Sequence, residues 1–106
     1  ILLPDVLWAK KSMDRYASGA SYTLAPLPFA YDAYEPFFDK MTMEIHHSKH
    51  HAAYVNNLNK ALENTDLQKE KLEVLFSKIS TLMPAIRNNG GGHWNHTFFW
   101  SLLNPK

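Results

Sequence analysis

An all-α fold of two long helices behind an extended arm is what this sequence predicts, on three observations. Residues 42–64 run without glycine or proline and place apolar side chains at helical spacing. Residues 84–103 end in the same periodicity, headed by Pro84, a residue suited to a first helical turn. Between Tyr22 and Phe38, by contrast, Pro26, Pro28 and Pro36 forbid any long regular element.

Residues 1–21 differ in texture from the rest. An apolar run, Ile-Leu-Leu-Pro-Asp-Val-Leu-Trp, precedes Lys10, Lys11 and Arg15, and small residues follow. Basic residues behind the apolar run reverse the order of a secretory signal. The segment is therefore read as a disordered or weakly docked extension, with a processed targeting remnant as the alternative. A first residue of Ile1 rather than Met leads us to expect a chain incomplete at its start. Compartment stays open: cytoplasmic is the first expectation, exported or organellar if residues 1–21 are a targeting remnant.

The arm carries Phe29, Tyr31, Tyr34, Phe37 and Phe38, rings expected to pack along a helical surface. Asp39 suits an N-cap. The first long helix then spans Thr42 to Asn64, with Met43, Ile45, His46, Ala53, Val55, Leu58, Ala61 and Leu62 on its apolar face. A polar loop over residues 64–69 precedes a short amphipathic segment, residues 70–80, with Leu72, Leu75, Phe76 and Ile79 on one side. In the second long helix Gly90, Gly91 and Gly92 each cost roughly 1 kcal/mol against alanine. Local rules leave a broken and an unbroken helix equally open there.

Composition narrows the function. Hydrophobic residues make up 45% of 106 and charged residues 20%, the balance of a globular chain. A net charge of +1, with no basic-aromatic interleaving, gives no reason to expect nucleic acid. No apolar stretch approaches the ~20 residues of a membrane span. The absence of cysteine excludes disulfides, thiolate-bound zinc and thiol catalysis.

Histidine is the informative residue. Four of the six, His46, His47, His50 and His51, fall within residues 44–53, and His93 and His96 lie in the second helix. Neutral imidazole is the commonest metal ligand, so two such clusters suggest a metal held between two helices. On an α-helix His46, His50 and Tyr54 form one stripe, and His47 and His51 another about 100° around. Both stripes cannot face one ion. The stripe ending in Tyr54 suits an interior site, because a phenol beside an ion can hold or relay a proton. His47 and His51 are then expected to face solvent or a partner. His93 and His96 share a side of the second helix, with Phe99 and Trp100 positioned to wall a site. From the residues alone, zinc, iron, manganese or copper fits, and a purely structural role for the histidines stays open.

Four segments carry a resemblance. Leu27-Pro28-Phe29-Ala30-Tyr31-Asp32-Ala33, residues 43–51 (Met-Glu-Ile-His-His-Ser-Lys-His-His), Tyr54-Val55-Asn56-Asn57-Leu58-Asn59 and Asn95-His96-Thr97-Phe98-Phe99-Trp100 resemble the iron/manganese superoxide dismutases, over about residues 21–105. The resemblance implies a long antiparallel helical hairpin over residues 22–106, the first half of an α+β two-domain enzyme. It implies an unbroken second helix, with His46 and His96 as two protein ligands of one manganese or, alternatively, iron ion per subunit. His50 and Tyr54 would stand at the substrate channel, and Phe99 and Trp100 would form its hydrophobic wall. Superoxide would be the substrate, and the full-length protein a homodimer or homotetramer.

The sequence departs from the family pattern in three places. The segment of Asp-x-Trp-Glu-His type that carries the remaining ligands is not found before Lys106, so the 106-residue chain alone is expected to be inactive. Phe37 stands where many members have His. Gly92 stands where iron-type members usually carry Gln, which favours manganese. The alternative is a non-catalytic hairpin that binds metal or a partner through its histidines.

Overall fold

A computed structural model describes residues 22–103 of the protein. The expectations for residues 1–21 lie outside the described residues. Among those described there are helices and turns but no strand, as an all-α hairpin requires.

Asp39 starts the first rod. Its backbone is extended and its carboxylate accepts from the Thr42 amide at 2.7 Å, satisfying a donor that the first turn leaves without a partner. That bond holds the Asp39 carboxyl below its ordinary pKa. Helix α1 (Lys40–Ile45) runs directly into a π-helical segment (His46–His51) and then into α2 (Ala52–Leu62), with helical backbone angles at both junctions. The rod stops two residues earlier than the glycine- and proline-free run suggests. Asn64 takes a left-handed backbone, φ 59°, a conformation asparagine tolerates and which turns the chain out of the helix.

Helix α3 (Leu72–Ser77) and a 3-10 turn (Ile79–Thr81) follow, and then α4 (Pro84–Leu102), unbroken through its three glycines. Pro84 lies in the first turn of α4, where its missing amide hydrogen costs nothing.

Helices α2 and α4 pack antiparallel, as their contacts require. Leu58 stands beside Gly90, Tyr54 beside Gly92 and His96, and His46 beside His96, Phe99 and Trp100. Falling numbers on one rod meet rising numbers on the other. The core at the loop end consists of Tyr22, Val55, Leu58, Leu62, Leu72, Leu75 and Ile86. At about 25 cal/mol per Å² of apolar surface, burial of these side chains is what closes the hairpin. Ile45 and Ala53, expected on the apolar face, are exposed instead, and Ile79 is at the border of exposure.

The arm lies against α2. The Asn59 side chain receives the Tyr22 amide at 2.8 Å and donates to the Tyr22 carbonyl at 2.7 Å. The Tyr22 hydroxyl donates to the Glu70 carbonyl at 2.5 Å. Burial first, then Glu73 and Glu70, raises the pKa of that phenol and keeps it a donor. Three hydrogen bonds of Tyr22 thus pin the start of the arm to α2 and the following loop.

Candidate metal centre

The π segment decides how the histidines face. On an α-helix, residues five apart stand ~140° around from each other; a π turn of about 4.4 residues cuts that to ~50°. His46 and His51 therefore both turn toward α4. The His46 ring lies 4.9 Å from the His96 ring, and the His51 ring 5.4 Å from it. Trp100, fully buried, stands 4.7 Å from His46, and Phe99 stands 5.5 Å from it. The expected hydrophobic wall is thus beside His46.

The hydrogen bonds fix tautomers. His96 Nδ1 lies 2.8 Å from the Gly92 carbonyl oxygen, which can only accept. Nδ1 therefore carries the hydrogen and donates, and the lone pair on Nε2 is left free to bind an ion. Burial, then the neighbouring His96 and His50, lowers the pKa of His46 and favours its neutral, ligating form.

His51 corrects the sequence expectation. His51 does not face solvent: it is 2% exposed and hydrogen-bonded at both ring nitrogens. The Trp100 indole, a donor only, donates to His51 Nδ1 at 3.0 Å. His51 Nε2–H therefore donates to His93 Nδ1 at 2.8 Å. Helical spacing assumed at 3.6 residues per turn hid this arrangement. A local signal for the π turn is absent from the residues themselves.

Burial, with the surrounding histidines, drives the pKa of His51 from the ordinary value of 6.5 down to about 2. Burial and His96 take His93 down to about 4. Both groups bind protons more readily in the unfolded chain, so their contribution is complete above pH 6.5. It is lost as pH falls from there toward 4, each group costing about 1.4 kcal/mol per pH unit. We expect urea unfolding of the metal-free protein to show about 2 kcal/mol less stability at pH 5.5 than at pH 7.5. An unchanged midpoint would contradict the buried neutral pair.

His47 is likewise buried, not a bystander at the surface. Its Nε2–H donates to the Ala25 carbonyl at 2.8 Å, so Nδ1 accepts from the Tyr31 hydroxyl at 2.8 Å. This residue fastens the arm and takes no part in a metal site.

His50 is exposed, with its ring 6.2 Å from His46. It borders two open depressions. One is ≈ 350 Å³ and lies against Thr42, Ile45 and His46; the other is ≈ 280 Å³ and is shared with Lys49, Ala53, Tyr54 and Asn57. Tyr54 is half-buried, its ring 5.2 Å from His96. The Tyr54 ring also occupies the space in which a Cβ on residue 92 would lie. Gly92 is therefore required by a close approach, a role the glycine run alone does not disclose.

The His46 and His96 rings face each other across the two rods at 4.9 Å. Among the described residues no group of three or more His, Cys, Asp or Glu side chains is arranged to hold a metal ion. His51 has both nitrogens engaged, so it cannot complete a set. The donor chemistry of the two imidazoles, His46 and His96, is compatible with a manganese or iron ion.

The comparison with known proteins bears on that half-site. A family model described as iron/manganese superoxide dismutases, alpha-hairpin domain, matches residues 21–104. The chain belongs to the iron/manganese superoxide dismutases. It is similar to a Mn/Fe superoxide dismutase of Methylomonas sp. (strain J), 52% identical over 90 residues that cover 81% of this chain and 45% of that protein. A Mn superoxide dismutase of Pseudomonas aeruginosa is 52% identical over 89 residues, 80% of this chain and 44% of that protein. The chain thus spans about 45% of the length of these relatives. The all-α architecture described above is that of the superoxide dismutase alpha-hairpin domain. No helix among the described residues is long and apolar enough to cross a membrane.

Proposed function

We propose that this hairpin serves superoxide dismutation, in which two superoxide ions and two protons become dioxygen and hydrogen peroxide. The observation that carries the reading is the facing pair His46 and His96 within a superoxide dismutase hairpin, with the Nε2 of His96 left free by the Gly92 carbonyl. These two residues hold one redox ion, with the remaining ligands supplied from outside the described residues. Bound manganese or iron supplies one-electron chemistry, taking an electron from one superoxide and giving one to the next.

The other residues serve charge, protons and water. Phe99 and Trp100 keep bulk water from one side of His46. Tyr54 holds a proton at its phenol oxygen beside His96, and His50, exposed at the rim, exchanges protons with solvent. Manganese is the preferred ion on family resemblance, because Gly92 stands where iron-type members usually carry Gln. The full-length protein is read as a homodimer or homotetramer on family resemblance alone. The alternative, a non-catalytic hairpin that binds partners through a histidine surface, is disfavoured because His47, His51 and His93 are buried and bonded internally.

Two measurements test this reading. Two imidazoles leave an ion weakly held and poorly tuned. The purified 106-residue chain with added manganese or iron is therefore expected to show no dismutation at an enzymatic rate, and the full-length protein to show it. Turnover by the chain near full-length levels would overturn the half-site. Lys49, exposed beside His50 at the smaller depression, attracts the anionic substrate. In the full-length enzyme Lys49→Glu should lower kcat/KM and flatten its salt dependence; an unchanged salt profile would remove Lys49 from this role.

A further inference from the structure

We propose that Trp100, His51 and His93 form a positioning relay that fixes the ring plane of His96. The proposal rests on the reading of His96 as a metal ligand. Its elements are three side chains at most 3% exposed and two hydrogen bonds of fixed direction.

Direction is set at one end and passed along. Trp100 can only donate, so His51 Nδ1 must accept, its Nε2 must donate, and His93 Nδ1 must accept. The other neutral tautomer of His51 would set its Nδ1–H against the indole N–H of Trp100. The His51 ring is therefore held at both ends as a rigid plate. It lies 5.4 Å from His96 at an interplanar angle of 32°. His96 also meets the Tyr54 ring at 5.2 Å and 43°. With its Nδ1 anchored on the Gly92 carbonyl and its ring against both His51 and Tyr54, the His96 ring is restricted in orientation.

The far end of the relay is itself supported. The His93 ring meets the Tyr22 ring edge-on at 5.8 Å, and Tyr22 is the residue clamped by Asn59. The relay thus runs from the arm, through His93 and His51, to the imidazole read as a metal ligand. Partners that orient ligands in this way change metal affinity about 10–100-fold when removed.

The test uses the full-length protein loaded with Mn²⁺, with affinity, the EPR zero-field splitting and the melting temperature measured together. His51→Leu removes both hydrogen bonds. It should weaken Mn²⁺ binding about tenfold and alter the zero-field splitting. His51→Gln can accept from Trp100 with its oxygen and donate to His93 with its nitrogen. It should recover affinity to within about threefold of the original and restore most of the spectrum. A lower melting temperature with unchanged affinity and spectrum in His51→Leu would overturn the proposal, as would a glutamine variant no better than leucine. Should His51→Leu fail to fold, His93→Leu, which leaves the Trp100 bond intact, must shift both metal readouts in the same direction; no shift overturns the relay. His96→Ala run in parallel separates the two readings. If it keeps Mn²⁺, the ligand assignment fails, and the relay with it; if it loses Mn²⁺ while the relay variants bind normally, the relay alone fails.

Discussion

His96→Ala in the full-length protein is expected to abolish stoichiometric manganese or iron binding and to lower dismutation by roughly a hundredfold or more. His46→Ala should do the same. The two are not symmetrical in what they leave behind. His46 is half-buried, its ring against His96, Phe99 and Trp100. His96 is held by Gly92, His51 and Tyr54, so its loss also frees the Tyr54 ring. Metal content by elemental analysis after reconstitution with each ion is the primary readout. A His96→Ala protein with native metal content and activity would remove this residue from the site.

The second large effect is expected at Gly92. A methyl group there would fall inside the Tyr54 ring, so Gly92→Ala must move either the ring or the helix. Overpacking of this kind costs about 1–3 kcal/mol. Here it also moves the phenol proposed to hold a proton beside His96, so kcat should fall together with stability. Gly91→Ala is the internal control. Nothing lies within 4 Å of the added carbon, and alanine gains about 1 kcal/mol of helix propensity, a rise of several degrees in melting temperature. The pair of adjacent substitutions should therefore act in opposite directions. A Gly92→Ala protein as stable and active as the original would show that Tyr54 yields freely.

The two long helices, the Asp39 cap, the proline start of α4 and the amphipathic segment between them are legible because each depends on local periodicity and capping. His46 and His96 are likewise found together, through family resemblance and then through ring contact. The orientation of His47 and His51 was not legible. Their placement depends on a π turn, and no residue in His-His-Ser-Lys-His-His specifies one; the wider turn is set by packing against α4 and the arm. Gly92 was visible as a departure from family pattern, but its physical reason is a ring 38 residues away in sequence, beyond any local rule. Trp100 was read as a wall, and its indole N–H, which sets the tautomer of His51, went unread for the same reason.

The amide of Asn59 grips the Tyr22 backbone by both its N–H and its C=O, as a neighbouring strand would. These partners are 37 residues apart in sequence, whereas the turns of α2 and α4 close over three to five. Loop closure of that span gains nothing until α2 presents Asn59 on a formed surface. The arm is accordingly a late-docking element that seals a hairpin already assembled. Local opening of the arm breaks both bonds of Asn59 to the Tyr22 backbone together and exposes the buried Tyr22 ring. Because His93 rests on Tyr22, that opening reaches the histidine end: breathing of the arm is transmitted to the rings of His51 and His96.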